Sequence, residues 1–148
     1  MRLTQYTDYG LRLLIYLASA PDQSASVREV ADAYDISRAH LNKVALQLTA
    51  AGVLTARRGR GGGVWLGSPP DRILLGTVIR LLEPDFHFVE CMRPGNQCVI
   101  TPACRLREIC QQAQEAVFAV FDRYTLAALL EDTERRDAVC ALLGLSQD

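Results

Sequence analysis

SVREVADAYDISRAHLNKVALQLTAAGVLTARRGRGGGVWL, running from Ser26 to Leu66, is the stretch that decides the fold. Its opening, Ser26-Val27-Arg28-Glu29, is a capping-box pattern in which a hydroxyl and a carboxylate three residues apart each accept a backbone N–H that a helix start leaves unpaired. Val30, Ala31 and Tyr34 supply the apolar side of that short helix. After Asp35-Ile36, Ser37 stands at the N-cap of a second helix with apolar positions Leu41, Val44 or Ala45, Leu48 and Ala51, and Gly52 is placed to end it. The opposite face carries His40, Lys43 and Gln47. Two short helices joined by a tight connection predict a helix-turn-helix, whose second helix enters the major groove of DNA.

Immediately downstream, Val53-Leu54-Thr55-Ala56 and Val64-Trp65-Leu66 flank Arg57-Arg58-Gly59-Arg60-Gly61-Gly62-Gly63, which predicts a hairpin with an Arg-rich and Gly-rich tip, a wing. No GxxxxGKS or GxxxxGKT pattern is present and a strand follows the glycines, so the tip does not read as a nucleotide cradle. Guanidinium groups on such a loop suit DNA phosphates or a narrow minor groove. Ser37, Arg38, His40 and Lys43 on the reading helix, with Arg57, Arg58 and Arg60 on the wing, are the candidate DNA-binding residues.

Working outward toward the N-terminus, residues 5–20 predict a helix with Leu11, Leu14, Ile15 and Leu17 or Ala18 at helical spacing, ended by Pro21. In the other direction Ser68-Pro69-Pro70 closes the winged unit, and Asp71 is expected to cap a helix containing Ile73, Leu74, Thr77, Val78 and Leu81, which Pro84 ends. A long helix is expected from Thr101 and Pro102, with Leu106, Ile109 or Cys110, Ala113, Val117, Val120 or Phe121 and Tyr124 along one stripe. The tail beyond it is too short to cover that stripe, so the economical partner is a second copy of the chain in a two-fold dimer. The fold class is therefore mainly α: a winged helix-turn-helix DNA-binding region over 1–70, a short helix and loop over 71–101, and a dimerisation helix with a C-terminal tail over 102–148.

Composition bounds this reading without deciding it. With 148 residues, 49% hydrophobic and 22% charged, the chain has the makings of one globular domain with an extension. Arg12 interrupts the best apolar run well short of the roughly 18 residues a membrane helix needs. The first residues lack a secretory signal pattern, so a cytoplasmic location is expected. The net charge of -1 conceals an asymmetry: eight Lys/Arg against five Asp/Glu in residues 1–70, and eight against twelve in residues 71–148, so the halves carry +3 and -4. A mildly basic front half is compatible with double-stranded DNA but would not establish it. No catalytic pair is evident, since His87 lacks a nucleophile and no CxxC occurs, and an enzyme is not expected.

Five cysteines, an odd number without an export signal, argue for reduced thiols and metal binding over a disulfide framework. Three fall in ECMRPGNQCVITPAC, at Cys91, Cys98 and Cys104, on one Gly- and Pro-punctuated stretch. Such a set suits an iron-sulfur cluster, a zinc ion completed by His87, or redox thiols. The gaps exceed the two to four residues of a typical zinc knuckle, which favours a wider group. Cys110 and Cys140 read as packing residues.

The opening MRLTQYTDYGLRLLIYLA, the wing ARRGRGGGVWL, and ECMRPGNQC followed by PACRLR resemble the winged-helix iron-sulfur regulators, a family that includes IscR and NsrR, over nearly the whole chain. IscR-like members carry a histidine three residues after the third cysteine as fourth ligand of a 2Fe-2S cluster, whereas Arg107 stands there in this chain. That difference points to the NsrR-type, nitric-oxide-sensing branch. The resemblance implies a repressor of nitrosative-stress genes with a 4Fe-4S cluster on Cys91, Cys98 and Cys104, the fourth ligand being Asp8 from the first helix of the other subunit. At four-residue spacing Arg12 is placed to steady Asp8. An iron-status regulator with a 2Fe-2S cluster is the alternative within the family, and a zinc-stabilised interaction module the alternative outside it.

Overall fold

The computed structural model describes residues 2–57, 59 and 61–145. The elements in order are α1 (Gln5–Ser19), β1 (Ser24–Ala25), α2 (Val27–Tyr34), α3 (Arg38–Ala50), β2 (Leu54–Arg57), β3 (Gly63–Leu66), α4 (Leu75–Leu82), α5 (Leu106–Phe121) and α6 (Thr133–Leu142). Helices dominate, and none of the described ones is long and apolar enough to cross a membrane.

The capping box at Ser26 forms as the sequence implies. Ser26 Oγ accepts from the N–H of Glu29 at 3.1 Å, and Glu29 Oε2 accepts from the N–H of Ser26 at 2.6 Å. The bond from the Ser26 N–H, the larger influence, together with the Ser26 hydroxyl holds the Glu29 carboxyl below the usual carboxylate range. Asp35 ends α2 in the left-handed region, at φ 51° and ψ 51°, turning the chain into α3. Ser37 occupies the N-cap position of α3 but its side chain makes no cap bond. Leu41, Val44, Ala45 and Leu48 form the buried stripe, whereas Ala51 lies past the last helical residue and is exposed. Gly52 follows at φ +75°, a conformation that favours glycine.

The wing hairpin pairs Leu54 with Leu66, Thr55 with Trp65, Ala56 with Val64 and Arg57 with Gly63. A third strand, β1, adds to its far edge through Ser24–Trp65 and Ala25–Val64, giving the order β1-β3-β2. Two residues are too few to carry an alternating pattern, so this strand exists only because β3 presents an edge to it. Gly63 permits the approach, since a Cβ there would lie 2.8 Å from the Ala25 carbonyl oxygen.

The core gathers Leu13, Leu14 and Leu17 of α1 with Val30, Leu41, Val44, Leu48, Leu54 and Val78, all at most 1% exposed. Leu126, fully buried, enters this core from beyond α5. The return is fixed by Leu75 N–H donating to the Tyr124 carbonyl and Leu126 N–H donating to the Ile73 carbonyl. That pairing corrects the expected start of α4. Pro70–Arg72 forms a single 3-10 turn, Ile73 and Leu74 are extended against the incoming strand-like segment, and the helix begins at Leu75. Its buried side is Leu75, Val78, Ile79 and Leu82, while Leu74 and Thr77 are exposed. α6, capped by Asp132, then lies near α1, and Cys140 is buried with its Sγ 3.7 Å from the Ser19 carbonyl.

α5 also begins later than expected, at Leu106. Thr101 turns its hydroxyl back into the loop, to the Cys98 carbonyl at 2.8 Å and Asn96 Oδ1 at 2.9 Å, instead of capping a helix. Only Phe118 is buried along α5, and Leu106, Ile109 and Val120 of the expected stripe are about half exposed.

Candidate functional site

With Leu41, Val44, Ala45 and Leu48 turned inward, α3 presents Arg38, Ala39, His40, Asn42, Lys43 and Leu46 to solvent, with Ser37 exposed just ahead of it. At about 100° per residue, Ala39, Lys43 and Leu46 lie almost opposite the buried stripe, Asn42 about 70° to one side and His40 about 90° to the other. Arg57 is exposed at the end of β2, on the wing. Gly59 and Gly61 at the tip have φ of +98° and +73°, which explains the glycines among the arginines. Arg58 and Arg60 lie outside the described residues.

Gln47 does not share the reading face, contrary to its place in the pattern. Its Nε2 donates to the Leu81 carbonyl at 2.7 Å, and its Oε1 accepts from the Tyr6 hydroxyl at 2.8 Å. The same hydroxyl lies 3.0 Å from the Lys43 carbonyl. One amide thus ties the reading helix to both α1 and the end of α4. An amide on a helix surface looks the same in sequence whether it meets DNA or another helix, so nothing local distinguishes the two.

Asp8 and Arg12 form the ion pair their spacing suggests, with Arg12 NH2 2.9 Å from Asp8 Oδ2 and both side chains close to half exposed. Arg12 also lies over the Tyr34 ring, 5.6 Å from its centroid, so the pair leans on the last residue of α2. Burial, the larger influence, raises the Tyr34 hydroxyl pKa.

Cys91, Cys98 and Cys104 all lie, half-buried, on the loop between Pro84 and Arg105. Cys91 sits in a single 3-10 turn, Glu90–Met92, anchored by the buried Met92. Glu90 Oε1 accepts from the Gln97 N–H at 2.7 Å, folding the Cys98 half of the loop back onto the Cys91 half. Cys104 Sγ accepts from the Leu106 N–H at 3.5 Å, beside the start of α5. Cys110, one of the two cysteines read as packing, is half-buried on α5.

The first part of the loop is bonded by groups other than the thiols. Asp85 accepts from the His87 N–H at 2.7 Å and meets His87 Nδ1 at 2.6 Å and Arg93 NH2 at 2.8 Å. The His87 N–H bond, first among these, keeps the Asp85 carboxyl below its usual range. His87 is therefore engaged by Asp85. Among the described residues, no three His, Cys, Asp or Glu side chains are gathered about a single metal-ion position.

The first root of the loop, at the end of α4, is tied to the rest of the fold. Glu83, 8% exposed at the end of α4, accepts from the Thr4 N–H at 3.0 Å, Thr4 Oγ1 at 3.1 Å and Thr7 Oγ1 at 2.5 Å. It caps the helix that carries Asp8. Arg80 of α4 makes a two-pronged bond to Asp122, at the end of α5 remote from the loop, at 2.6 and 2.7 Å, and stacks on Phe118 with 4.1 Å to the ring centroid. The arrangement offers soft sulfur donors on a loop that leaves α4 where that helix is bonded to α1 and α3.

A family model described as Rrf2, iron-dependent transcriptional regulator, matches residues 3–132. The chain is 44% identical over 136 residues to the HTH-type transcriptional regulator NsrR of Bacillus subtilis (strain 168), covering 90% of this chain and 93% of that protein. Among solved structures, CymR (YrzC), titled the global cysteine regulator of B. subtilis, is similar at 31% identity and TM-score 0.70, covering 88% of this chain and 97% of that one. IscR of T. potens shares the fold at TM-score 0.67 with 24% identity, covering 100% of this chain and 94% of that one.

Proposed function

The chain belongs to the Rrf2 family of iron-dependent transcriptional regulators, and we propose that it is a homodimeric repressor that senses nitric oxide through a 4Fe-4S cluster. The observation that carries this reading is the loop itself: three half-buried cysteines on a segment that leaves α4 where the end of that helix is bonded to α1 and α3. Thiolates are soft ligands suited to iron-sulfur clusters. Cys91, Cys98 and Cys104 would hold the cluster, and Asp8 of the partner subunit would supply a harder fourth ligand. The cluster supplies an iron site at which nitric oxide can bind.

The protein's own residues account for the rest. Arg12 holds the Asp8 carboxylate in one orientation and braces it against Tyr34. Glu83 ties the loop root to the start of α1, and Gln47 ties it to α3. The exposed Leu106, Ile109 and Val120 of α5, continued by Val99 and Ile100 of the loop, form the apolar face that a second copy would cover. Two reading helices would then stand about 34 Å apart, one turn of DNA, over a palindromic site. A loss of the tie between subunits needs to change this equilibrium by only about 1–3 kcal/mol to alter DNA affinity 5- to 150-fold. Ser37, Arg38, His40 and Lys43 with Arg57, Arg58 and Arg60 are the proposed DNA contacts, and the cytoplasm is the proposed compartment.

Native mass spectrometry of protein isolated without oxygen, before and after nitric oxide, tests the reading. The expected result is a dimer carrying the mass of one 4Fe-4S cluster per chain, changed by nitric oxide together with DNA affinity. One zinc per chain, indifferent to nitric oxide, would overturn it.

A further inference from the structure

Asn42 carries a chemistry on the reading helix that the charged residues around it do not. It is exposed on α3, and neither its amide oxygen nor its amide nitrogen has a hydrogen-bond partner among the described residues. It lines a cavity shared by α3, the start of α2 and the wing strands, together with Arg57 and Gly63, so it borders both elements proposed to meet DNA. The residues one turn to either side, Ala39 and Leu46, are exposed and apolar, Leu46 at 67%. Ala39 matters because asparagine is short. With only a methyl group at the centre of the face, the helix backbone can approach the base edges closely enough for an amide on Cγ to reach them.

From this juxtaposition we infer that Asn42 reads an adenine in the major groove of each half-site. The amide presents one acceptor and one donor in a plane, matching the N6 donor and N7 acceptor of adenine, a pattern no other base pair offers in the same order. Leu46 and Ala39 suit the thymine C5-methyl groups of the same or the neighbouring base pair. Lys43, on the same face, is a point charge that serves a guanine or a phosphate and does not distinguish adenine. The inference rests on the DNA-reading role of α3 and is independent of the signal the loop receives.

The test uses the full-length protein, isolated without oxygen, to select duplexes from a random pool. Fluorescence anisotropy then measures binding to the selected duplex with 7-deazaadenine, which lacks the N7 acceptor, placed at one adenine position at a time. The expected result is a 10- to 100-fold loss for the wild type at one symmetric pair of positions, and no further loss there for Asn42→Ala. Asn42→Asp, which presents only acceptors, is expected to shift the preference at that position from adenine toward cytosine, whose N4 group donates. Because Asn42 is exposed and unbonded, neither variant removes a contact on which folding depends. The inference is overturned if Asn42→Ala weakens every duplex equally whatever base stands at that position, the signature of a contact to the DNA backbone, or leaves binding unchanged. Failure of the wild type to enrich any duplex would overturn the DNA-reading role itself, and this inference with it.

Discussion

Glu83 and Thr7, 76 residues apart in sequence, share a buried 2.5 Å hydrogen bond that closes the C-terminal end of α4 onto the first turn of α1. The carboxylate also takes both the N–H and the hydroxyl of Thr4, so it sits where the free N–H groups and dipole of α1 favour a negative charge. Removing it takes the acceptor from the Thr4 N–H and from two hydroxyls, of which the fully buried Thr7 hydroxyl keeps only Thr4 Oγ1, at 3.2 Å. Glu83→Ala is expected to cost about 3 kcal/mol, roughly 10 °C in Tm for a chain of this size. Glu83→Gln, which keeps an acceptor but loses the charge, should cost about half as much. Thermal unfolding followed by circular dichroism checks both, and equal losses would show that the charge contributes nothing.

A second tie runs through Gln47, whose side chain joins Leu81 of α4, Tyr6 of α1 and, through that hydroxyl, the Lys43 carbonyl of α3. Gln47→Ala leaves the Tyr6 hydroxyl one partner and the Leu81 carbonyl none among its side-chain contacts, at a cost of about 1–2 kcal/mol. Tyr6→Phe should cost about 1 kcal/mol. Since both losses converge on one amide, the double variant is expected to lose less than the summed single losses. A double-mutant cycle from urea unfolding measures the difference, and strict additivity would mean that the two bonds act separately.

Gly76 explains how the end of α5 reaches α4. A Cβ at that position would overlap Oδ1 of Asp122, the oxygen that accepts from Arg80 NH1. Gly76→Ala is therefore expected to break the Arg80–Asp122 pair. Because alanine gains about 1 kcal/mol of helix propensity over glycine, and a half-exposed pair is worth about that or less, Tm should move little. Faster amide exchange at the C-terminal turn of α5 is the readout. The pair also predicts an acid response. The Arg80 hydrogen bond depresses the Asp122 pKa below its ordinary 3.8, so its contribution is complete above that value and is lost as the pH falls through the depressed one. In Gly76→Ala the acid-induced rise in α5 exchange should disappear.

The residues that announced themselves in sequence act within a few positions of their partners. Ser26 and Glu29 form their capping box, and Leu41, Val44, Ala45 and Leu48 bury one side of the reading helix. The wing pairs Leu54 to Arg57 with Gly63 to Leu66. What the sequence concealed is decided at long range. The start of α4 moves to Leu75 because Tyr124 and Leu126 bond the chain ahead of it, and α5 waits until Leu106 because Thr101 bonds backward to Cys98. Nothing local marks Glu83 as the partner of Thr4 and Thr7, and Gln47 read as part of a polar face. Asp8 and Arg12 pair as their spacing predicts, yet that pairing is equally what a plain helix surface would show.

Replacing Asp8 by cysteine separates those two meanings. If Asp8 is only a surface charge, its pair with the half-exposed Arg12 is worth less than about 1 kcal/mol, and Asp8→Cys should shift Tm by no more than about 4 °C and leave the response to nitric oxide unaltered. If it is the hard fourth ligand, a thiolate at the same position completes an all-sulfur set, which holds iron more firmly. The variant is then expected to retain the visible absorption of the cluster several-fold longer after stoichiometric nitric oxide in an anaerobic stopped-flow experiment. Asp8→Ala, which leaves three protein ligands, should lose it faster than the wild type. Arg12→Ala, which frees the carboxylate without removing it, is expected to fall between the wild type and Asp8→Ala. Identical decay in all four proteins would leave Asp8 as a helix-surface charge and reassign the fourth ligand.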